Sequence, residues 1–520
     1  MLARPTGAPR AADLSLVAGE CVSATEPAPA VGLSSDVHTA FRNAFKLGSS
    51  ILATWGVALL VRLYLPRYLG PHDFGLYSFA DSFALTGIGL LGLGTASYIQ
   101  TEIPRRPRHA SDFLGGVFVI RLALAVVVLA ALWGILEASG RPPEAQRLVL
   151  IFGIAYFLVL DNSNLAALLQ ANTTVSELAF TNVAAKVLWA MLLGLAMFVR
   201  APIEWLVAGF VASEAAKAFV LSRVVRRKMD VRFRIDLKAA ATVIAASLPL
   251  YTHAMALSLN RLDITVLTFL TEDNAQVGWY GASVSLAGLA LMLGPLLPSV
   301  LLPLMSRAHA RSTDDLWRVV RAAAEGLIVV ALPISLFVAL SADVVVTLAF
   351  GSAYAPAAVS LRALAPQFFF TYLAALFSMT MVVLGRGWRL TAISIFGVLL
   401  NPLLGLLFIP VCARLLGVGG AGAGAALGVV GMEVLVSALM LHSLGRGALD
   451  PRTRRVALGA LVACTLTAGL HVLLAPLGPW RLGLDLVAYA GLAWLCGALP
   501  VERLLSLARE TLASRKGAPA

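Results

Sequence analysis

The sequence predicts an all-α integral membrane protein with about 14 transmembrane helices, arranged as two pseudo-symmetric six-helix lobes followed by two C-terminal helices. Three observations lead there. Apolar residues make up 59% of the 520 and charged residues 13%, with a mean hydropathy of +0.85. A soluble chain of this length could not hide so much apolar side chain under so little charged surface. Apolar runs of about 20 residues, the length a helix needs to cross hydrocarbon, recur along nearly the whole chain. Cationic residues gather in alternate loops between those runs. In lipid a segment must satisfy its own backbone hydrogen bonds, so the runs become helices, and their weak period-2 alternation argues against a β-barrel.

The helices are expected near 45–65, 75–98, 113–136, 148–169, 177–198, 204–222 and 240–270, then near 277–305, 319–340, 359–384, 390–412, 420–443, 456–476 and 482–500. Residues 1–40, rich in Ala, Pro, Ser and Thr, read as a disordered cytoplasmic tail. The order is then a lobe at 41–222, a basic linker at 223–239, a lobe at 240–443, two extra helices within 444–500 and a second cytoplasmic tail at 501–520. One set of loops holds Arg105, Arg106 and Arg108, the linker cations Arg223, Arg226, Arg227, Lys228, Arg232, Arg234 and Lys238, and later Arg307, Arg311, Arg318, Arg386, Arg389, Arg446, Arg452, Arg454 and Arg455. The opposite set holds only Arg67, Arg141, Arg147, Arg200, Arg414 and Arg481. With the C-terminal cations added to the first set, the bias is about fourfold, which places both termini on the cytoplasmic side.

The chain also looks duplicated. Phe74-Gly75-Leu76-Tyr77 opens the second helix and Val277-Gly278-Trp279-Tyr280 the eighth, with Ser82 and Ser285 at the same offset. Gln170-Ala171-Asn172 and Gly385-Arg386-Gly387 form a second matching pair of turns. Six helices separate the copies, so they run parallel about an axis along the membrane normal.

The stretch Leu65-Pro66-Arg67-Tyr68-Leu69-Gly70-Pro71-His72-Asp73-Phe74-Gly75-Leu76-Tyr77 resembles the first-loop signature of the bacterial polysaccharide-export flippases of the O-antigen type. Asp263 with Val277-Gly278-Trp279-Tyr280, Leu302-Pro303-Leu304-Met305-Ser306, Phe350-Gly351-Ser352-Ala353-Tyr354, Leu384-Gly385-Arg386 and Asn401-Pro402 are similar to that family in order and spacing, over about residues 41–445. The resemblance implies a superfamily shared with drug-and-toxin exporters and lipid II flippases. It implies two lobes around a cleft that opens to each side in turn, in the bacterial inner membrane. The implied substrate is a polyprenyl-diphosphate-linked oligosaccharide, moved from the cytoplasmic to the periplasmic leaflet, with polysaccharide polymerase machinery as a partner. The resemblance carries over no ligand set, because the binding residues differ between members.

Ionisable residues inside membrane helices cost several kcal/mol if they face lipid, so they face a cavity or a partner. Here they are Arg62, Arg121, Asp161, Lys186, Lys217, Arg261, Asp263, Arg362 and Glu433. Arg62, Arg121 and Arg362 lie toward helix ends, from which an arginine can also snorkel to the headgroups. On a continuous helix over 240–270, Ala254, Ser258, Arg261, Thr265 and Thr268 share one face, with His253, Asn260 and Asp263 around it. That face reads either as interhelical glue or as a cationic cavity lining that meets a diphosphate, for which the planar guanidinium fork is suited. Candidate substrate contacts are therefore Arg261, Lys186, Arg62, Arg121, Asp161, Asp263, Ser258 and Thr265. Asp161-Asn162-Ser163-Asn164 is compatible with sugar contacts and with hydrogen bonding between helices. Asp263, Glu433 and His253 are candidates for coupling to H+ or Na+.

The net charge of +12 lies in short loops, which argues against a nucleic-acid partner. Cys21, Cys412, Cys464 and Cys496 have neither metal nor disulfide spacing, and Glu20 spoils the lipoprotein-like Val17-Ala18-Gly19-Glu20-Cys21. Gly417-Val418-Gly419-Gly420-Ala421-Gly422 matches a dinucleotide fingerprint in letters, but it opens a membrane helix and reads as close helix packing. There is no P-loop, and no resident cofactor is expected. The rival functions are a lipid II flippase, a drug or cation antiporter of the same fold, and a membrane sugar polymerase or ligase. The antiporters favour an acidic cavity. The enzymes tend to carry a long outer loop, and the longest expected here is about eighteen residues, near 341–358. Reporter fusions at Arg227 and near Glu272 should report opposite sides of the membrane; the same side for both would overturn the orientation.

Overall fold

A computed structural model describes residues 33–498, except Arg105, Pro107, Arg108, Thr173, Thr174, Asp230, Arg232, 259–261, Met292, Leu293, Pro295 and Arg446. Among the described residues it is all helix, with no strand. The helices are α1 (Leu33–Gly89), α2 (Thr95–Glu102), α3 (Ala110–Ala138), α4 (Pro143–Ala171), α5 (Val175–Phe198), α6 (Ile203–Met229), α7 (Leu237–Ser258) and α8 (Leu262–Leu270). They continue with α9 (Asn274–Leu291), α10 (Leu296–Arg311), α11 (Thr313–Phe350), α12 (Ala357–Val383), α13 (Gly387–Leu416), α14 (Gly420–Leu444), α15 (Pro451–Leu473) and α16 (Arg481–Leu495). Among the described residues, ten candidate spans are long and apolar enough to cross a membrane. One of these, of 49 residues, takes in both limbs of α1 and α2, while α8, α9, α10 and α16 are individually short.

Several expected boundaries change. The first two expected helices are the two limbs of α1, which meet at a kink at Gly70, whose φ of 76° and ψ of 169° are open essentially to glycine alone. Pro71 then starts the second limb with its fixed φ. The helix expected over 75–98 breaks at Leu90–Leu93, where Leu93 is left-handed, and resumes as α2. Of the single helix expected over 240–270, α7 and α8 are helical on either side of 259–261, which lie outside the described residues. The loop expected at 341–358 is mostly helix: α11 runs to Phe350, and only residues 351–356 separate it from α12, with a short 3-10 turn at Ser352–Tyr354. Asp343 lies within α11, where it pairs with Arg362 of α12. Gly420, Gly424 and Gly428 do serve close packing. A Cβ on Gly424 would stand 2.5 Å from the Phe408 carbonyl oxygen, so α14 lies on α13 backbone to backbone.

Arg121 of α3 explains how the break after α1 is tolerated. It is 1% exposed and donates to the carbonyls of Leu91 (3.0 Å), Gly92 (3.2 Å) and Leu160 (3.5 Å) and to the Thr95 hydroxyl (2.6 Å). The guanidinium thus satisfies acceptors that the broken helix leaves without amide partners. It does not snorkel.

The two halves meet where the second limb of α1 crosses α9. A Cβ on Gly75 would stand 1.9 Å from the Asn274 carbonyl oxygen and 2.9 Å from the Gly278 nitrogen. One on Gly278 would stand 1.9 Å from the Pro71 carbonyl oxygen and 3.0 Å from the Gly75 nitrogen. Each glycine therefore rests on the carbonyl four residues before the other, and the contact is nearly its own image. One turn on, a Cβ on Gly281 would meet the Ser78 hydroxyl at 2.6 Å. Around this crossing Tyr354 donates to Pro66 O (2.6 Å) and Trp279 Nε1 to Ala353 O (3.0 Å). Arg141 donates to the Thr268 carbonyl, with its guanidinium 5.9 Å from the Phe79 ring centroid and 5.4 Å from that of Phe269.

His72 and Asn274 lie 3.4 Å apart beside this seam. In a background without the native cysteines, a His72→Cys/Asn274→Cys pair should form a disulfide readily on oxidation. Adding Gly75→Ala should reduce the yield to a small fraction at unchanged protein level, because no side chain can yield to a Cβ set against backbone. An unchanged yield would show that the helices do not meet here.

Candidate functional site

A cavity of 550 Å³ lies behind the crossing, between α1, α4, α5 and α6 of the first half and α8, α9 and α12 of the second. Both limbs of α1 line it at helical spacing: Trp55, Ala58 and Arg62 from the first, Phe74, Ser78 and Asp81 from the second. Lys186 and Trp189 enter from α5 one turn apart, Tyr156 from α4, and Ser285 and Gln367 from the second half. The walls are aromatic and aliphatic with a few polar groups, which is the ordinary make-up of a ligand cavity.

Its charged groups are Arg62, Lys186 and Asp81. Arg62 reaches from α1 across to α9: its Nη1 would lie 3.1 Å from a Cβ on Gly288, so the missing side chain leaves room for the guanidinium. The Lys186 ammonium stands 3.9 Å over the Trp189 ring centroid, a cation–π distance. Its electrostatic neighbours are Glu214, Arg62, Lys217 and Asp81. Asp81 accepts a hydrogen bond from the Tyr156 hydroxyl, which fixes the carboxylate against one wall. The lining thus carries two cations against one anion, with Tyr77, Tyr156, Trp55 and Trp189 as ring faces. A guanidinium fork beside an ammonium can hold phosphate oxygens, and the rings can pack against sugar faces.

Of the residues expected from sequence, the structure brings Arg62 and Lys186 together. It sets Arg121 and Asp161 elsewhere, Arg121 as the cap described above and Asp161 as its electrostatic neighbour. Asn162 donates to the Glu214 carbonyl (3.0 Å) and carboxylate (2.8 Å), and Asn164 accepts from the Thr95 hydroxyl (2.9 Å). That polar stretch of α4 joins helices. Asp263 is buried and accepts from the Tyr280 hydroxyl, and Thr265 lies 3.5 Å from Ser82 across the two halves. Glu433 accepts from Thr371 at 3.1 Å. Neither Asp263, Thr265 nor Glu433 lines the cavity. Arg261 and the side chains of His253 and Ser258 lie outside the described residues. Sequence reasoning missed Asp81, although its signal was present: an ionisable residue inside the expected helix 75–98, one turn after Tyr77. Among the described residues no cluster of three His, Cys, Asp or Glu could hold a metal ion.

The fold is that of known membrane transporters. The lipid II flippase MurJ in an inward closed conformation is 12% identical, covering 90% of this chain and 100% of its own, with a TM-score of 0.66. An inward-facing multidrug resistance MATE transporter of the MOP superfamily is 15% identical, covering 74% and 94%, with a TM-score of 0.57. A MOP superfamily transporter from Pyrococcus furiosus is 17% identical, covering 78% and 96%, with a TM-score of 0.53. At these identities the likeness is one of fold. No curated protein sequence matches the chain. The polysaccharide biosynthesis protein family matches residues 40–309, just over half of the 520. The chain therefore belongs to the polysaccharide biosynthesis protein family, as a multi-pass membrane protein with the fold of the MOP superfamily transporters.

Proposed function

We propose that the protein is a flippase for a polyprenyl-diphosphate-linked oligosaccharide, carrying it from the cytoplasmic to the periplasmic leaflet for cell-surface polysaccharide biosynthesis. The observation that carries this reading is the cavity at the junction of the two halves, with Arg62 and Lys186 in its lining. The diphosphate sits between these cations, the sugars pack along Trp55, Tyr77, Tyr156 and Trp189, and the polyprenyl chain stays in lipid. Two cations against one carboxylate favour an anionic substrate over a cationic drug. Lipid II carries the same diphosphate linkage and is the second reading, since the cavity chemistry suits both; the family match favours the polysaccharide precursor.

The lobes at 41–222 and 240–443 are the moving bodies in this proposal, rocking about the crossing of α1 and α9. In this proposal, with the orientation taken from the loop charges, that crossing is the periplasmic gate. Arg261, adjoining α8, is a further candidate contact for the diphosphate.

Complementation of a flippase-null strain, with protein level quantified, tests the reading. Arg62→Ala and Lys186→Ala should each lose most activity at near-normal abundance, and Arg62→Lys should keep part of it. Arg121→Ala should instead lose folded protein, because the buried Leu91 carbonyl loses its side-chain donor, at about 1–3 kcal/mol, and Gly92, Thr95 and Leu160 each lose one hydrogen bond. Full activity of an Arg62→Ala/Lys186→Ala double variant at normal abundance would overturn the assignment of the cavity.

A further inference from the structure

The region beyond the family match holds a second site. A groove of 550 Å³ opens at the first turn of α15, between that helix and the end of α16, lined by Pro451, Arg454, Arg455, Leu458, Val462 and Cys496. Gly459 forms its floor: a Cβ there would stand 2.5 Å from the Cys496 carbonyl oxygen, so the two helices approach through backbone. Leu458 is 64% exposed and Val462 47%. They lie one turn and two turns below Arg454 on the outward face of α15.

The arginines at this end divide into two kinds. Arg321 donates to the Gly447 carbonyl at 2.9 Å and faces Asp450 at 3.8 Å. Arg452 faces Glu325 at 3.6 Å. Both acids are committed further, since the Thr453 amide donates to Asp450 (2.7 Å) and its hydroxyl to Glu325 (3.2 Å). The Thr453 amide, with Arg321 behind it, holds the Asp450 carboxyl below the usual carboxylate range. The Arg454 amide donates to the Asp450 carbonyl at 3.1 Å, but the side chains of Arg454 and Arg455 have no hydrogen bond or ion pair with any described residue, and both are exposed at the groove rim. Two guanidinium groups without a side-chain partner among the described residues therefore stand one helical turn above an apolar furrow that faces outward.

We propose that this groove binds one anionic phospholipid, its phosphate on Arg454 and Arg455 and an acyl chain along Leu458 and Val462. Charge complementarity selects the ligand class. No described acid is left at the rim to receive the amine of a zwitterionic headgroup, while two cations await an anion. The apolar furrow beneath requires a ligand that continues as hydrocarbon, which a free phosphate does not. The site stands apart from the transport cavity.

The test uses the full-length protein in mild detergent, with native mass spectrometry titrations of phosphatidylglycerol and of phosphatidylcholine with the same acyl chains. One phosphatidylglycerol should bind at least about tenfold more tightly than phosphatidylcholine. Arg454→Gln/Arg455→Gln should weaken the phosphatidylglycerol by about tenfold or more and leave phosphatidylcholine unchanged. Arg454→Lys/Arg455→Lys should keep most of the affinity, and Arg389→Gln on α13 all of it. Glycerol phosphate should not displace the lipid, and truncation after Ala498 should leave its binding unaltered. Equal phosphatidylglycerol affinity in the glutamine double variant would overturn the site. Full displacement by glycerol phosphate would make it a free-phosphate site, and binding that appears only on truncation would make residues 499–520 its occupant; either overturns the proposal.

Discussion

The rest of the structure depends on the contact between Gly75 and Gly278. Two membrane helices can come this close only where neither carries a Cβ, and each glycine here lies against the other helix's backbone. That closeness brings the two halves together along α1 and α9, and leaves the space behind them as a cavity with walls from both. Arg62 of one half can reach Gly288 of the other only because the helices meet nearby. A contact made of backbone and small residues is also suited to parting. It holds by packing and a few hydrogen bonds.

Arginine has two fates in this molecule. Arg121 is wholly inside the protein and spends its donors on carbonyls left by a broken helix, so it is architecture. Arg62 lines a cavity. Both are arginines inside apolar runs, and no property of the residue itself separates them. The difference lies in what stands opposite: a turn with spare acceptors at Leu91 and Gly92 in one case, a glycine on a facing helix in the other.

This explains how far the sequence could be read. The fold class follows from hydropathy and loop charge, which depend on the solvent and on nothing tertiary. The repeat was legible too, because Phe74-Gly75-Leu76-Tyr77 and Val277-Gly278-Trp279-Tyr280 mark the two sides of one contact. The site was legible only in part. Polar groups that join helices and polar groups that line a cavity both point inward, so Asn162 and Asn164 could not be told from ligands by spacing. The polar face drawn through Ser258, Arg261 and Thr265 runs through 259–261, which lie outside the described residues. Asp81 was passed over although it stood in an apolar run, and it proved to share the cavity with Arg62 and Lys186.

The central claim is that the cations of this cavity carry a lipid-linked diphosphate across the membrane. Its most direct measurement is transfer in vesicles containing only the purified protein and a polyprenyl-linked oligosaccharide with a fluorescent sugar, followed by quenching from one side. The account predicts rapid transfer of the diphosphate-linked lipid and much slower transfer of the same lipid with its linkage phosphates masked as neutral esters. Equal rates for the two lipids, or no transfer of either above protein-free vesicles, would contradict it.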